Sequence, residues 1–245
     1  MAPRSSRTLV VVPALNEEDS VGAVVEAVRA AVPDADCIVV DDGSSDATAL
    51  RARAAGADVL ELPFNLGVGG AMRAGFRYAR EHGHDVVVQV DADGQHDPRY
   101  IPELVSALDG NDILIGARFA GVDGYGARGP RRWAMRVLAI AVSQVAGRPL
   151  TDVTSGFKVT GPRAVRLFSE VYPAEYLGDT VEALVIAARA GLRIDQHPVA
   201  MLPRQAGEPS HGVIRSTVYL LRACVAFSLA MMRPRVVVPR EGEER

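Results

Sequence analysis

The stretch DVVVQVDADGQHDP, residues 85–98, decides how the rest of the chain is read. Residues 86–90 (VVVQV) are apolar on nearly every position, the pattern of a strand covered on both faces rather than one with a wet side. That strand runs straight into three aspartates within seven positions, Asp91, Asp93 and Asp97. Carboxylates so close raise one another's pKa unless something positive sits among them. A divalent cation at the open end of a sheet strand is the economical expectation.

Working outward, the same grammar repeats on both sides. Residues 8–14 (TLVVVPA), 35–43, 58–63 and 112–118 read as short strands, and residues 18–32, 68–83 and 98–109 as helices with apolar residues at 3.6 spacing. Ser44 or Ser45 is placed to cap a further helix that stops near Gly56. Strands alternating with helices predict an α/β fold with a mostly parallel central sheet flanked by helices. Ligands of such sheets bind beyond the C-terminal ends of the strands. Pro13, Asp41, Asp42, Asp91, Asp93 and Arg118 all fall at those ends.

The second half is less regular. Helices are expected over 131–147, 162–171 and 178–191, a strand or turn over 152–161, and an extended segment over 192–202. Residues 204–212 form a polar loop, and 213–232 a closing helix. Without repeats or low-complexity linkers, the expected organisation is one domain over 1–212, an amphipathic helix over 213–235 and a tail over 236–245.

Charge divides the chain in the same place. Residues 1–112 carry 19 acids and 9 bases, a net of −10, whereas 113–245 carry 11 acids and 18 bases, a net of +7. Of the 27 basic residues only Lys158 is lysine. Arginine suits bidentate grip on phosphate, although coding bias would give the same composition. Cys37 and Cys224 sit far apart in apolar runs, as core thiols of a reducing compartment do. Residues 1–7 (MAPRSSR) carry no apolar leader. A spanning helix needs ~20 apolar residues, and the best candidate, 213–232, is interrupted by Arg215 and Arg222. A cytoplasmic protein is expected, peripheral on the cytoplasmic face of the membrane.

Single motifs are weak. NLGVGGAMRAG (65–75) puts Met72 where a dinucleotide loop needs its third glycine, so close backbone packing near a ligand is the better reading. Asp-x-Asp at a strand end can hold Mg2+ or Mn2+, hard cations that bridge carboxylates to diphosphates, but the pattern is common. His96 has no second His or Cys at ligand spacing and is not read as a metal ligand.

The ordered set is specific. PALNE (13–17), DDGSSD (41–46), NLGVGGA (65–71), DADGQHDP (91–98), GAR (116–118) and TSGFK (154–158) together resemble the family 2 glycosyltransferases of GT-A fold. Within them the set is similar to the dolichyl-phosphate mannose synthase and polyprenyl-phosphate glycosyltransferase branch, over residues 8–212. The resemblance implies a nucleotide pocket lined by Pro13, Ala14, Glu17, Asp42, Asp91 and Ala92. It implies a Mg2+ or Mn2+ ion on Asp91, Asp93 and Gln95, with Arg204 of the loop R-x-x-G-x-x-S on the donor diphosphate. Asp93, Arg118 and Arg204 would carry the chemistry. Arg118 would lie near the sugar and the acceptor phosphate, and Ser155 and Gly156 would border the sugar, Ser155 also near that phosphate. Beside them the sequence clusters Arg128, Arg131, Arg132 and Arg136 with Trp133. The cluster reads either as a grip on the acceptor phosphate, by Arg131 and Arg132 above all, with Trp133 on its isoprenoid chain, or as a solvated, arginine-rich helix start. Ser210-His211 departs from the serine–lysine usual in that branch. Its histidine either weakens phosphate contact in a pH-dependent way or is simply an exposed loop residue.

The activity so implied is inverting, metal-dependent transfer of a hexose from a GDP- or UDP-linked donor to polyprenyl phosphate. A lipid phosphate is already an anion and needs no general base. A hydroxyl acceptor on a glycan or small molecule, the alternative, would need a carboxylate such as Asp179 or Glu182, although Asp179 also reads as a helix cap. A non-catalytic sugar-nucleotide-binding protein is the reading of another class. Arg215 and Arg222 share one helix face, as on a helix lying along an anionic bilayer, docked to a small membrane-protein partner or packed in a homo-oligomer. No nucleic-acid partner is expected.

Overall fold

The computed structural model describes residues 7–118, 130–173, 179–203, 227, 228 and 230–232. Its centre is one seven-stranded sheet: β1 (Thr8–Ala14), β2 (Asp36–Asp41), β3 (Asp58–Glu61), β4 (Val86–Gln89), β5 (Ile113–Ala117), β6 (Lys158–Thr160) and β7 (Ile194–Pro198). The spatial order is β3-β2-β1-β4-β6-β5-β7. β1 pairs in parallel with β2 and β4, β2 with β3, and β5 with β7, while β6 runs antiparallel between β4 and β5. The expected parallel α/β sheet is present, with one reversed strand inserted beside the aspartate-bearing one.

Seven α-helices cover the sheet among the described residues: α1 (Val21–Ala31), α2 (Thr48–Ala54), α3 (Gly67–Glu81), α4 (Ile101–Ser106), α5 (Pro130–Ala146), α6 (Pro162–Val171) and α7 (Asp179–Arg189). Because side chains alternate along a strand, β1 sends Leu9 and Val11 to one face and Val10, Val12 and Ala14 to the other. Leu9 and Val11 join a core with Met72 and Phe76 of α3, Phe168 of α6 and Leu184 of α7. Val10 and Val12 join Val24 and Val28 of α1, Ala52 of α2 and Leu104 of α4. Both faces of β4 are thus covered, which is why its sequence is apolar almost throughout. Of the glycines in 67–75, Gly75 serves that packing. At Gly75 a Cβ would come within 2.6 Å of the Val11 side chain, so α3 lies close against β1.

Two local expectations are corrected. Residues 98–109 are not one helix: Pro98–Tyr100 forms a 3-10 turn and α4 follows from Ile101. Pro98 and Pro102 supply no backbone N–H, which suits helix starts rather than helix interiors. Neither Ser44 nor Ser45 caps α2, which begins later at Thr48 with Ala47 before it. Asp46 accepts from the Thr48 N–H there at 3.0 Å, and the two serines turn to Asn16 instead. The segment 152–161 is turn and strand, as expected: Lys158–Thr160 is strand, and side chains of Asp152, Thr154 and Ser155 bond locally ahead of it.

The closing helix is described only near its end. Residues 227, 228 and 230–232 are helical, with Ala230 in the core and Met232 82% exposed, so this turn has an inner and an outer face. Among the described residues no helix is long and apolar enough to cross a membrane.

Candidate active site at the strand ends

Parallel pairing sets the strand ends level. Ala14 lies opposite Asp41, and Val11 opposite Gln89, which brings Asp91 to the height of Pro13. The loops after β1, β2, β4 and β5 therefore open on one edge of the sheet, with Asp42, Asp91, Asp93 and Arg118 among them.

The first two loops are stitched together. Asn16 adopts a left-handed backbone (φ 54°), and its N–H donates to Ser44 Oγ at 2.9 Å. Its Oδ1 accepts from the Ser45 N–H at 2.8 Å. Glu17 N–H donates to Thr48 Oγ1, Glu18 N–H to Asp46 Oδ2, and Ala47 N–H to Glu18 Oε2, at 2.8–3.2 Å. Burial pushes the Asp46 carboxyl upward, but hydrogen bonds from Thr48 and from the Glu18 backbone outweigh it and hold the group below its ordinary value. The Glu17 carboxylate accepts from Ser20 Oγ at 2.8 Å.

Asp42 is almost fully buried beside Pro13 and Ala14, its N–H bonded to the Ala14 carbonyl at 2.8 Å. Its Oδ1 accepts from the Leu66 N–H at 2.7 Å, at the start of α3. Burial raises its carboxyl pKa, and the Leu66 and Gly67 backbone donors only partly oppose that.

Asp91 is held on three sides. Gln89 Nε2 donates to its Oδ1 at 3.1 Å, and its own N–H donates to His96 Nδ1 at 3.0 Å. Gly156 lies beneath the carboxylate, where a Cβ would fall 2.5 Å from Oδ2. Asp93 and Gln95 are half-buried beyond it, with Asp93 Oδ1 accepting from the Gln95 N–H at 3.0 Å. Ala92, between the two aspartates, is buried. The His96 ring is 4% exposed and stacks on Phe157 at 5.0 Å between centroids. Burial holds its imidazole below the ordinary value, although Asp91 and Asp93 pull the other way.

At the end of β5, Arg118 is gripped by Asp152, whose side chain is fully buried. Arg118 Nε donates to Asp152 Oδ2 at 2.7 Å, Nη2 to Oδ1 at 2.9 Å, and the Arg118 N–H to Oδ2 at 3.1 Å. Nη2 also reaches Thr154 Oγ1 at 3.1 Å. Ser155, expected beside an acceptor phosphate, is 2% exposed and donates its hydroxyl to the Gly116 carbonyl at 2.8 Å. Its hydroxyl ties the TSGFK turn to the end of β5.

The side chains of Arg131, Arg132 and Trp133, at the start of α5, lie outside the described residues, as do Arg128, Arg204, Ser210, His211 and the Asp179 side chain. Glu182 is 3% exposed on the inner side of α7. Sequence reading missed Gln89, His96 and Asp152 as parts of the site. Asp152 carried a signal, an isolated acid in a run dominated by arginine. Gln89 was the one polar residue of an apolar strand.

The pair Asp91 and Asp93 suits a hard divalent cation in donor chemistry, since both offer carboxylate oxygens, and only a residue without a Cβ at position 156 lets the Asp91 carboxylate sit where it does. Among the described residues no group of three or more His, Cys, Asp or Glu side chains gathers to hold a metal ion by itself. Ligands from a bound diphosphate or water would have to complete such a site.

Comparison with known proteins agrees with this geometry. Residues 9–166 match the model of glycosyl transferase family 2. An undecaprenyl-phosphate mannosyltransferase of Micrococcus luteus is 33% identical over 224 residues, covering 86% of this chain and 91% of that protein. A polyprenol monophosphomannose synthase of Mycolicibacterium smegmatis is 35% identical over 167 residues, 63% of this chain and 61% of that one. Among solved structures, glucosyl-3-phosphoglycerate synthase of Mycobacterium tuberculosis with Mn2+, UDP-glucose and phosphoglyceric acid superimposes with a TM-score of 0.71. That match covers 94% of this chain and 81% of the other at 23% identity, a likeness of fold.

Proposed function

The chain belongs to glycosyl transferase family 2, and from that premise we propose that it moves a hexose from a GDP- or UDP-linked donor onto polyprenyl phosphate, inverting the anomeric centre. The observation that carries the proposal is the shared edge on which Asp42, the Asp91–Asp93 pair and the Asp152-held Arg118 open. The likeness to relatives named for undecaprenyl-phosphate and polyprenol acceptors supports the acceptor class.

In this reading Pro13, Ala14, Glu17 and Asp42 receive the nucleoside, with Asp91 and Ala92 beside it. Asp91, Asp93 and Gln95 would hold Mg2+ or Mn2+, which neutralises the charge that develops on the leaving diphosphate. Arg204 would add a second positive contact to that diphosphate. Arg118, fixed in direction by Asp152, faces the acceptor phosphate together with Arg131 and Arg132. A phosphate nucleophile arrives deprotonated, so no side chain need remove a proton. Of the two carboxylates that a hydroxyl acceptor would call on, Glu182 is buried on α7, which leaves Asp179 as the candidate base of that alternative. Residues 1–212 form the catalytic unit, and the helix over 213–235 would lie along the cytoplasmic face of the membrane, near its lipid acceptor.

The test is a thermal-shift panel of UDP, GDP and their hexose conjugates with Mn2+, Mg2+ or chelator, followed by transfer to undecaprenyl phosphate. A metal-dependent rise with one nucleotide, absent in Asp93→Asn, and sugar transfer to the lipid are expected. A nucleotide shift without lipid transfer, but with transfer to a hydroxyl acceptor, would replace the acceptor assignment. Folded protein that binds no nucleotide would remove the donor site.

A further inference from the structure

We propose that His96, together with Gln89, is a positioning residue for Asp91 and sets the affinity of the site for its cation. The inference rests on the reading of Asp91 as a metal ligand and adds the residues that aim it.

The argument begins with a backbone group. β6 runs beside β4 only as far as the pair Gln89–Lys158, so the next N–H on that side, that of Asp91, has no strand partner. His96 Nδ1 takes it at 3.0 Å. An unpaired N–H there would be costly to bury, and most residue types at position 96 could not reach it. Accepting at Nδ1 leaves the proton of a neutral imidazole on Nε2. Nε2 lies 3.6 Å from Asp91 Oδ2, beyond hydrogen-bond length, so the ring flanks that oxygen without bonding it. Gln89 Nε2 meanwhile holds Oδ1 at 3.1 Å. The carboxylate is thus bonded at Oδ1 by Gln89, while His96 fixes the Asp91 backbone and flanks Oδ2, with Gly156 as a floor.

A buried ring at this position has a simpler use, as packing against Phe157. Packing alone does not need nitrogen at the δ position. A leucine would fill the same apolar space without carrying a polar atom into the core. The two roles therefore separate by substitution. His96→Leu keeps the apolar volume and discards both nitrogens, whereas His96→Asn places an amide oxygen where Nδ1 stood and can still accept from Asp91.

The experiment measures Mn2+ binding by the loss of the free-ion paramagnetic resonance signal, with saturating UDP and, separately, GDP. Wild type, His96→Leu, His96→Asn, Gln89→Met and Asp91→Asn are compared after circular dichroism shows each to be folded. Outer-shell partners of metal ligands typically contribute about 10–100-fold in affinity. His96→Leu should weaken Mn2+ binding by an amount in that range, with His96→Asn recovering most of it. Metal-free nucleotide binding should not move, which a general loosening of the fold would not spare. The inference is overturned if His96→Leu binds Mn2+ as wild type does, or if His96→Asn is as weak as His96→Leu. Where His96→Leu does not fold, Gln89→Met carries the same test, and wild-type affinity there overturns the proposal. Unchanged Mn2+ binding in Asp91→Asn would instead remove the metal-site reading itself, and the inference with it.

Discussion

The two sides of the site are held by different means. On one side, the loop after β1 and the loop after β2 are joined by a set of small bonds, backbone N–H groups to side chains of Asn16, Ser44, Thr48, Glu18 and Asp46. On the other side one charged pair, Arg118 with Asp152, does the same work through the guanidinium fork and the Arg118 N–H. Many weak bonds distribute the cost of losing any one. A single buried ion pair concentrates it, because removing one partner strands the other without water. The difference predicts that substitution should be tolerated on the first side and not on the second.

Asp152→Ala is the severest test. It removes the fully buried acceptor of the Arg118 guanidinium, whose side chain is 20% exposed and still reaches Thr154 Oγ1, so the loss should fall toward the low end of the about 3–5 kcal/mol that breaking a buried pair costs. Urea unfolding should show a loss of that order, with transfer activity falling alongside. Adding Arg118→Met to it should recover a large share of the stability but none of the activity. Recovery of both would mean that Arg118 serves the fold and not the acceptor.

Gly156→Ala falls between the two regions and should have an intermediate effect. Its Cβ would lie 2.5 Å from Asp91 Oδ2, so the carboxylate or the TSGFK turn must shift. Overpacking of this sort costs about 1–3 kcal/mol. The larger consequence should be functional: weaker Mn2+-dependent nucleotide binding in calorimetry, with metal-free nucleotide binding spared. If Asp91 is not a ligand, stability alone will change.

The two regions were also unequally visible in the chain itself. The sheet was legible because β1 to β5 are short, apolar and punctuated by helices, and β1 spans Thr8–Ala14 as its continuous apolar run suggests. The strand-end acids were legible because charge at the end of a buried strand is conspicuous. What stayed hidden depends on distance along the chain. Asp152 meets Arg118 from 34 positions away, and although it stands out as an isolated acid, nothing local says which arginine it pairs with. The reversed β6 was hidden for a similar reason, since three residues between two stronger neighbours have little pattern of their own. Ser44 and Ser45 misled because a serine before a helix is a good cap only if nothing better competes, and Asn16 does compete.

On the stitched side the expected effect is the smallest and depends on pH. Asp46 carries part of the stitching, and its pKa in the fold lies below the ordinary carboxylate value of 3.8. A carboxyl lowered by folding contributes stability that is present above its unfolded pKa and lost as pH falls through the folded one. Asp46→Asn should therefore melt below wild type near pH 7, by a few degrees at most, since the remaining bonds between the loops survive. The gap should narrow as pH drops below about 4, where wild-type Asp46 becomes protonated as well. A melting series from pH 7 to pH 3 on both proteins measures this. A gap that stays constant would mean that geometry rather than charge ties Asp46 to Thr48 and Glu18. A gap as large as that of Asp152→Ala would break the comparison, because the stitched loops would then depend on one residue as the arginine side does.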